Sequence, residues 1–522
     1  MIRGAFALLA ISYGAAFTVK VLKYEGAYSP DSVVYIDTAR NLLAGHGLSS
    51  SIAPLDSALK TDLALPFPMT TWAPLYPLLI ALLHGMGLSI TAAALVSPIA
   101  CFGLVLVAAY LLIRALFNEG TAFLAVALLL LFAPLHTVAT HAWSETVAIA
   151  AVLLSLYAVV RADQSKAAAP WVVCVGVAAG VALAARYAMA PLVVVVAIGL
   201  IQRKDLKRTA KHGIVFAIAF LFVAGPILVR NLWWSGRPLG MHPAGSGTDF
   251  AGIGAHLWQV TRDSARPRSL LGGLVLRLVI AVALIRCVLH LRARRLVPNG
   301  CMALVAQRRY LLLLWVALYL GMLVQGQLRF AIDPIDERLF APAGVVLALW
   351  CVGSLTSLGG LRAWFPAMAA LLLLGATCIA EVAEANAILH SRLTTVYDFE
   401  AKISRSEGLT WLAERVSDRD LVITENGYRL PLYMGPVNVL YFEPQSGAAI
   451  PLDYADFRKY IDRHRADYAR VYVDLRKGSG ATPLKGWGPF LDDLAAGHVT
   501  AYPGVTLEAD LDDAIIYRIA PP

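Results

Sequence analysis

The side chains best suited to chemistry lie in short polar segments between long apolar ones, and the first such segment carries Asp31. Ser29 and Pro30 are typical of a helix start, and apolar residues then recur at three- and four-residue spacing as far as Leu43. Tyr35 falls one turn after Asp31 on the same side of this helix. We therefore expect a short amphipathic helix in the membrane interface that presents Asp31 to a cleft.

Other polar groups recur at the ends of later apolar segments, and we expect them to converge on one cavity at the membrane surface. They are His141, Ser144 and Glu145 in HAWSETVAIA, Arg186 with Tyr187, Arg230 with Asn231 in VRNLWWSGRPLG, and Asp333, Asp336, Glu337 and Arg338 in DPIDERLFAPA. A guanidinium can give two parallel hydrogen bonds to phosphate oxygens. Arginines at headgroup depth therefore favour a lipid phosphate as the ligand.

These residue types together predict one kind of reaction. A lone carboxylate can accept the proton of a hydroxyl nucleophile. Glycosidases need a second carboxyl group because an alkoxide leaves, whereas a lipid phosphate leaves as a stable anion and needs positive charge. One base with an arginine or two therefore suits transfer of a sugar from a polyprenyl-phosphate carrier to an acceptor hydroxyl.

The same residues also have structural interpretations. Asp31 and Glu145 could be first-turn acids that stabilise the positive ends of their helices. Arg230 and Arg338 could extend into headgroups at helix ends. Arg186 could belong to a structural ion pair, because a charge between two apolar segments needs a partner.

For the remaining candidates, structural or surface roles are more typical than roles in chemistry. His141 is more typical of an interfacial histidine than of a catalytic one. The acids of DPIDERLFAPA could hold a divalent cation, but such loop acids usually serve solubility, so no cofactor is predicted. Trp72, Trp233 and Trp234 fit an interfacial aromatic belt better than a sugar-stacking surface.

Composition indicates a membrane protein. The chain of 522 residues is 58% hydrophobic and 15% charged, and its mean hydropathy is +0.66. The net charge of +9 comes from basic residues grouped between apolar segments, which argues against nucleic-acid binding. Six cysteines show no zinc-type spacing and none lies in the polar C-terminal part, so a disulfide framework is not expected.

Eleven apolar segments approach the roughly 20 residues that a transmembrane helix needs. They run near 4–22, 91–113, 120–138, 143–160, 169–185, 187–201, 213–232, 269–290, 310–326, 339–357 and 364–384. The segment from Trp72 to Leu83 is about half a span and is predicted to be interfacial or re-entrant. Basic links at 203–211 and 292–309 indicate cytoplasmic loops, which puts the N-terminus inside, and Asp31 and everything after residue 384 outside.

Residues 385–522 are predicted to form a soluble α/β domain on the outer side. Apolar β-branched runs indicate strands at 421–424, 437–442, 470–475 and 514–519. Helical patterns lie between them at 404–416, 453–463 and 490–496. This part contains no catalytic motif, so we expect it to cap the membrane part and hold an acceptor.

Ordered blocks of the sequence resemble the GT-C superfamily of membrane glycosyltransferases. The blocks are PDSVVYIDTARNLLAGHGLSS, TTWAPLYPLLIALL, SETVAIAAVLLSLYAVVR, ARYAMAPLVVV, VRNLWWSGRPLG and ERLFAPAGVVLAL. The resemblance is closest to the bacterial branch related to protein mannosyltransferases and the lipid A aminoarabinose transferase, and it covers most of residues 1–384.

The resemblance implies an inverting transferase that uses a polyprenyl-phosphate-linked sugar on the outer side, with Asp31 as the base. Many relatives have a second acid directly after this position, where the present chain has Ser32. Glu145 matches the family's second acidic position loosely and is predicted to be catalytic together with Asp31, and Arg338 aligns with an arginine that we assign to the carrier phosphate. The further candidates for binding substrate or carrier phosphate are Arg230, Arg186, His141 and Tyr35.

The prediction is thus a multi-pass glycosyltransferase of the bacterial inner membrane that acts in envelope glycan, glycolipid or glycoprotein synthesis. Residues 1–384 would form the catalytic part, with interfacial helices at about 24–90, and residues 385–522 the outer domain. The alternatives are a flippase or transporter for lipid-linked sugars and a non-catalytic assembly protein. Transporters tend to have matching halves and ionisable residues near the midplane, whereas the charges here lie at helix ends.

Overall fold

The structure, a computed structural model, forms two compact units. It describes residues 2–22, 28–55, 58–59, 62, 64–201, 205–240, 250–264, 308–329, 335–356, 364–390, 406–424, 427, 429–442, 453–477 and 489–520. The helical unit consists of Met1–Ala27, Thr70–Tyr76 and Ala94–Leu393, and the sheet unit consists of Tyr28–Met69, Pro77–Ala93 and Thr394–Pro522. The predicted first outer loop, at about 24–90, which the sequence analysis put with the membrane part, is therefore largely grouped with the C-terminal residues.

Most described residues are helical. The helices are α1 (Ile2–Leu22), α2 (Pro30–Leu43), α3 (Leu75–Gly85), α4 (Ile90–Leu116), α5 (Glu119–Leu129), α6 (Ala133–Thr140), α7 (Glu145–Gln164), α8 (Ala168–Ala185), α9 (Pro191–Leu200), α10 (Leu206–Ser235), α11 (Phe250–Ser264), α12 (Tyr310–Arg329), α13 (Glu337–Thr356), α14 (Trp364–His390), α15 (Glu407–Arg415), α16 (Arg429–Met434), α17 (Tyr454–Arg463) and α18 (Pro489–Ala495). The strands are β1 (Ser49–Ser50), β2 (Ile52–Pro54), β3 (Phe67–Pro68), β4 (Leu421–Thr424), β5 (Asn438–Tyr441), β6 (Val471–Arg476), β7 (Val505–Asp510) and β8 (Ala514–Ile519).

The helical unit contains the helices that can cross a membrane. Six helices among the described residues, α4, α7, α8, α10, α12 and α13, are long and apolar enough to do so. The pair α5 and α6 makes a seventh candidate if it counts as one span, with a bend of 62° at its break. All predicted apolar segments that fall on described residues are helical, and the predicted segment at 269–290 lies outside those residues.

Small residues let the helices around α8 approach closely. A Cβ atom at Gly176 would lie 2.6 Å from the Ala219 Cβ of α10, and one at Gly180 would lie 2.8 Å from the Val223 Cβ. Spacing of small residues by four places them on one helix face, which favours close helix packing in membranes. This contact fixes α8, whose C-terminal end leads directly to Arg186.

The sheet unit is built around a six-stranded sheet in the order β2-β5-β4-β6-β8-β7. The first four of these strands are parallel, and β8 and β7 are antiparallel to their neighbours. Helices α17 and α18 pack on one face through Phe457 and Phe490, whereas Leu409 of α15 and Leu430 of α16 pack on the other. Burial on both faces explains the continuous apolar runs of the central strands.

The sequence predicted most elements of this sheet but not its first strand. All four predicted strands are present, two of them with the predicted limits. The three predicted helices are also present, two of them shorter than predicted and the third shifted by one residue. Strands β7 and β2 were not predicted. β2 comes from the first outer loop and pairs in parallel with β5, where Ile52 lies opposite Val439.

The helix that carries Asp31 has the predicted limits but not the predicted surroundings. Ser29 and Ser32 form a reciprocal capping box, Pro30 begins the helix, and Gly45 and Gly47 follow it with positive φ angles. The predicted amphipathic pattern does not give this stretch an exposed polar face, because every residue from Ser32 to Ala39 is buried, polar ones included. Helix α16 and strand β1 of the same unit cover it.

Candidate functional site

Three helix ends in the helical unit bring Glu145, Arg186 and Arg338 together. Glu145 is the first residue of α7, and Arg338 lies in the first turn of α13. Arg186 follows α8 with extended backbone angles, φ −154° and ψ 126°, which break the helix before a 3-10 turn. Glu145 Oε1 accepts a hydrogen bond from Arg186 Nη1 and lies 3.4 Å from Arg338 Nε.

Arg186, Arg338 and Glu145, which we call the arginine pair with its carboxylate, are almost completely buried. The side chain of Glu145 is 1% exposed, that of Arg338 is 11% exposed and that of Arg186 is 15% exposed. The second carboxylate oxygen, Glu145 Oε2, is buried and has no hydrogen-bond partner among the described residues. Fixed guanidinium charges in such a low-dielectric environment act more strongly on a ligand than they would in water.

Aromatic rings line one side of the arginine pair. The Arg338 guanidinium carbon lies 5.1 Å from the centre of the Trp143 ring, a cation–π contact. His141 stacks on Trp143 with ring centres 4.2 Å apart. Burial lowers the pKa of His141 below its usual range, and the positive charge of Arg338 lowers it further. His141 is therefore neutral at pH 7 and suits hydrogen bonding rather than charge pairing.

The first turn of α13, which carries Arg338, is held from several sides. Asp336 Oδ1 accepts from the Leu339 N–H at 2.9 Å, and the Leu339 carbonyl accepts from the fully buried Tyr319 hydroxyl at 2.9 Å. Glu337 Oε2 accepts from the Thr137 hydroxyl at 3.0 Å. Asp336 and Glu337 thus stabilise the first turn of α13 through these hydrogen bonds.

A metal site is not apparent in the described part of the chain. Asp333, one of the acids considered as a ligand, lies outside the described residues. Among those described, no group of three or more histidine, cysteine or acidic side chains is arranged to hold a metal ion.

Arg230 belongs to a neighbouring hydrogen-bonded group. Its Nη1 donates to Asn231 Oδ1 at 3.3 Å, and Asn231 Nδ2 donates to the Tyr187 hydroxyl at 2.7 Å. Tyr187 directly follows Arg186, and its hydroxyl donates to the Trp72 carbonyl at 3.4 Å. The structure therefore connects Arg230 through two hydrogen bonds, by way of Asn231, to Tyr187, and does not place it in the arginine pair itself.

Asp31 and Tyr35 lie on α2 in the sheet unit. Asp31 is partly exposed in the first turn of this helix, and Tyr35 is only 3% exposed. The capping box at Ser29 and Ser32 fixes the backbone on both sides of Asp31. A carboxylate in a first turn also interacts favourably with the positive end of the helix.

A second acid of α2, Asp37, is fully buried. Its Oδ2 accepts from the Ser51 N–H at 2.7 Å, from the Ser50 hydroxyl at 3.1 Å and from Asn41 Nδ2 at 3.5 Å. Burial raises the pKa of the Asp37 carboxyl to about 6, although these serine donors and the charge of Arg40 lower it. The network joins α2 to the segment between β1 and β2.

Sequence reasoning brought Glu145, Arg186 and Arg338 into one site but missed three side chains that support it or α2. Trp143 lies within the block HAWSETVAIA, and its position two residues before Glu145 could have indicated that it belongs to the same site. Tyr319 lies in an unbroken apolar span, where nothing local distinguishes it. Asp37 was a usable signal, since an acid among apolar positions of a helix needs partners.

Part of the chain matches a known protein family. A family model described as dolichyl-phosphate-mannose-protein mannosyltransferase matches residues 71–234. That range includes Glu145, Arg186 and Arg230. No curated protein matches the chain significantly.

Solved structures share the fold over nearly the whole chain. ArnT from Cupriavidus metallidurans bound to undecaprenyl phosphate superposes with a TM-score of 0.61 at 11% identity, covering 99% of each chain. The apo state of the same protein gives a TM-score of 0.60 at 11% identity, covering 100% of this chain and 99% of that one. The Archaeoglobus fulgidus oligosaccharyltransferase in complex with Zn and sulfate gives 0.51 at 14% identity, covering 89% of this chain and 67% of that one.

These comparisons confirm the resemblance predicted from the sequence blocks. The chain contains helices long and apolar enough to cross a membrane, shares its fold with the ArnT and oligosaccharyltransferase structures, and is similar over residues 71–234 to a mannosyltransferase family model. At 11–14% identity the structural likeness concerns the fold.

Proposed function

We propose that this chain is an inverting glycosyltransferase that moves a sugar from a polyprenyl-phosphate-linked donor to an acceptor hydroxyl. The reaction takes place on the outer face of a bacterial inner membrane and contributes to an envelope glycan, glycolipid or glycoprotein. In this proposal the chain crosses the membrane eleven times, with the N-terminus in the cytoplasm and a C-terminal α/β domain outside. Residues 1–384 form the catalytic part.

The observation that supports this proposal most is the arginine pair with its carboxylate. Arg186 and Arg338 are nearly buried, and they are held side by side by Glu145 in a unit made of apolar helices. Guanidiniums fixed in this way suit a phosphate at the membrane surface, because they need little reorganisation when the ligand arrives. The ArnT structure with the same fold is bound to undecaprenyl phosphate, which supports a carrier lipid of the same class here.

Asp31 is proposed as the base of the reaction. Its carboxylate takes the proton of the acceptor hydroxyl while the hydroxyl oxygen attacks the anomeric carbon of the donor sugar. The new carbon–oxygen bond forms as the bond from the anomeric carbon to the phosphate oxygen breaks, and that electron pair leaves with the lipid phosphate. A single displacement of this kind inverts the anomeric configuration.

The arginine pair is proposed to stabilise the departing phosphate. Negative charge on the phosphate grows as the bond to the sugar breaks, so Arg186 and Arg338 bind the transition state more tightly than the donor. Arg230, His141 and Tyr35 are proposed to contact the substrate or carrier. Neutral His141 can hydrogen bond a sugar hydroxyl without adding charge.

The test is to offer the purified chain a panel of polyprenyl-phosphate sugars and to measure release of the lipid phosphate. The wild-type protein should release it from at least one donor, and Asp31→Asn should lower the rate by about 10²-fold to 10⁴-fold while donor binding persists. Asp456→Asn is the matched control, because Asp456 is an exposed first-turn acid of α17 in the same unit. A fully active Asp31→Asn protein would contradict the assignment.

A further inference from the structure

We propose that Glu145 makes the arginine pair discriminate between a singly charged phosphodiester and a doubly charged phosphomonoester. This inference rests on the proposed function, in which the donor is a lipid phosphodiester and the spent carrier is a phosphomonoester. Glu145 is then a specificity-determining residue that favours release of the product, rather than a second catalytic acid.

The geometry gives Glu145 this position. One of its oxygens contacts both guanidiniums, through the hydrogen bond from Arg186 and the 3.4 Å contact with Arg338. A guanidinium has five N–H donors in a rigid fork, so the edge that contacts Glu145 is only part of its hydrogen-bonding capacity. A phosphate bound by the same two arginines therefore lies close to the carboxylate without touching it.

The charge of Glu145 then affects the binding of the two ligands to different extents. The arginines attract each negative charge of the phosphate, and the Glu145 carboxylate repels each one. Because Glu145 is 1% exposed, water screens this repulsion poorly. At a separation of about 7 Å and an effective dielectric constant of about 20, removing one carboxylate charge strengthens binding by at least about tenfold for each ligand charge. The doubly charged ligand thus gains about tenfold more than the singly charged one.

Replacing Glu145 by glutamine isolates this charge. The amide oxygen of Glu145→Gln can still accept from Arg186, and its NH₂ group takes the place of Oε2, which has no hydrogen-bond partner among the described residues. The arginines thus keep an acceptor of the same shape while the negative charge is removed. Glu145→Asp is the converse variant, because it keeps the charge and alters the shape.

The experiment measures binding of farnesyl phosphate and farnesyl methyl phosphate to the full-length protein in detergent. Phosphomonoesters lose their second proton near pH 6, whereas the methyl diester stays singly charged. At pH 8 Glu145→Gln should raise the ratio of the affinity for farnesyl phosphate to that for farnesyl methyl phosphate by about tenfold over the wild-type ratio. At pH 5 this increase should disappear, because both probes then carry one charge.

Two controls accompany this measurement. Glu145→Asp should retain the wild-type ratio of affinities. Asp163→Asn should also retain it, since Asp163 pairs with Arg308 near the other end of α7, about 27 Å along the helix.

The possible results separate this inference from the proposed function. An unchanged ratio in a folded Glu145→Gln protein, or loss of binding to both probes in that variant alone, would overturn the role of Glu145 and leave the transferase proposal standing. If the wild-type protein binds neither probe, the proposed function itself fails. Should the glutamine variant not fold, Glu145→Ala measured below its unfolding temperature removes the same charge, and an unchanged ratio of affinities in that variant would contradict the inference.

Discussion

Glu145 in the helical unit and Asp37 in the sheet unit are both buried carboxylates, but different partners accompany them. Glu145 contacts two guanidiniums and accepts a hydrogen bond through one oxygen. Asp37 accepts from the backbone of Ser51, a serine hydroxyl and an asparagine amide, all of them neutral. Glu145 is compensated by direct contact with charged groups, whereas Asp37 is compensated mainly by neutral hydrogen-bond donors, with a smaller contribution from the charge of Arg40.

The difference shows what each site can do. Neutral donors orient a carboxylate but offset its burial incompletely, and the pKa of Asp37 accordingly rises to about 6. The group around Glu145 contains two guanidiniums, whose fixed positive charges suit an anionic ligand. The sheet unit thus holds a structural acid that responds to pH, whereas the helical unit holds the group that we propose to bind the phosphate.

The largest expected effect comes from breaking the charged group. Glu145→Ala leaves Arg186 and Arg338 nearly buried without the carboxylate that holds them, and loss of one partner of a buried ion pair costs about 3–5 kcal/mol. We expect the thermal unfolding midpoint of the full-length protein in detergent to fall by several degrees. Differential scanning fluorimetry measures this change.

A second substitution shows whether the loss comes from uncompensated charge. Adding Arg186→Met to Glu145→Ala removes one of the two buried charges, so the double variant should recover part of the lost stability. If the double variant unfolds at a still lower temperature, packing rather than charge explains the loss, and the contrast with Asp37 weakens.

Asp37 should show the opposite behaviour, with a smaller effect that depends on pH. A folded-state pKa above the ordinary value means that the folded protein holds the proton more tightly than the unfolded chain does. The stability that this provides is fully present below about pH 4 and is lost as the pH rises through about 6. A rise of the pKa from 3.8 to about 6 corresponds to at most about 3 kcal/mol.

Replacing Asp37 by asparagine removes this titration. The amide oxygen can keep the three hydrogen bonds to Oδ2, and the NH₂ group replaces Oδ1, which has no hydrogen-bond partner among the described residues. The melting midpoint of Asp37→Asn should exceed that of the wild-type protein at pH 8 by a few degrees, and the difference should shrink as the pH falls and vanish below about pH 4. Exposed Asp456→Asn should follow the wild-type curve at both pH values, and a constant difference for Asp37→Asn would refute the expectation.

The sequence predicted the parts of both regions that depend on local signals. Ser29 and Pro30 marked the start of α2, and the interruption at Arg186 marked the break after α8. Charged residues at the ends of apolar segments were enough to associate Glu145 with Arg186 and Arg338. Each of these signals acts within one or two turns of the chain, which is the range over which residue type determines backbone conformation.

Features that depend on distant segments could not be predicted in this way. Strand β2 has only three residues, and its pairing with β5 depends on a strand far along the chain. Helix α2 has an apolar pattern typical of an interfacial helix, but β1 and α16 bury its polar side as well. The network of Asp37 with Ser50 and Ser51 follows from that burial, since buried polar groups require partners.

The smallest effect that we predict concerns the Trp143 ring, which makes a cation–π contact with Arg338. The Arg338 guanidinium lies 5.1 Å from the Trp143 ring centre, and phenylalanine offers a weaker π surface than tryptophan. Trp143→Phe should therefore weaken binding of farnesyl methyl phosphate by about two- to threefold, and Trp143→Leu by about tenfold, because Arg338 is less well fixed. Equal effects of the two substitutions would mean that Trp143 acts through its volume, and Glu145 would then be the main electrostatic restraint on Arg338.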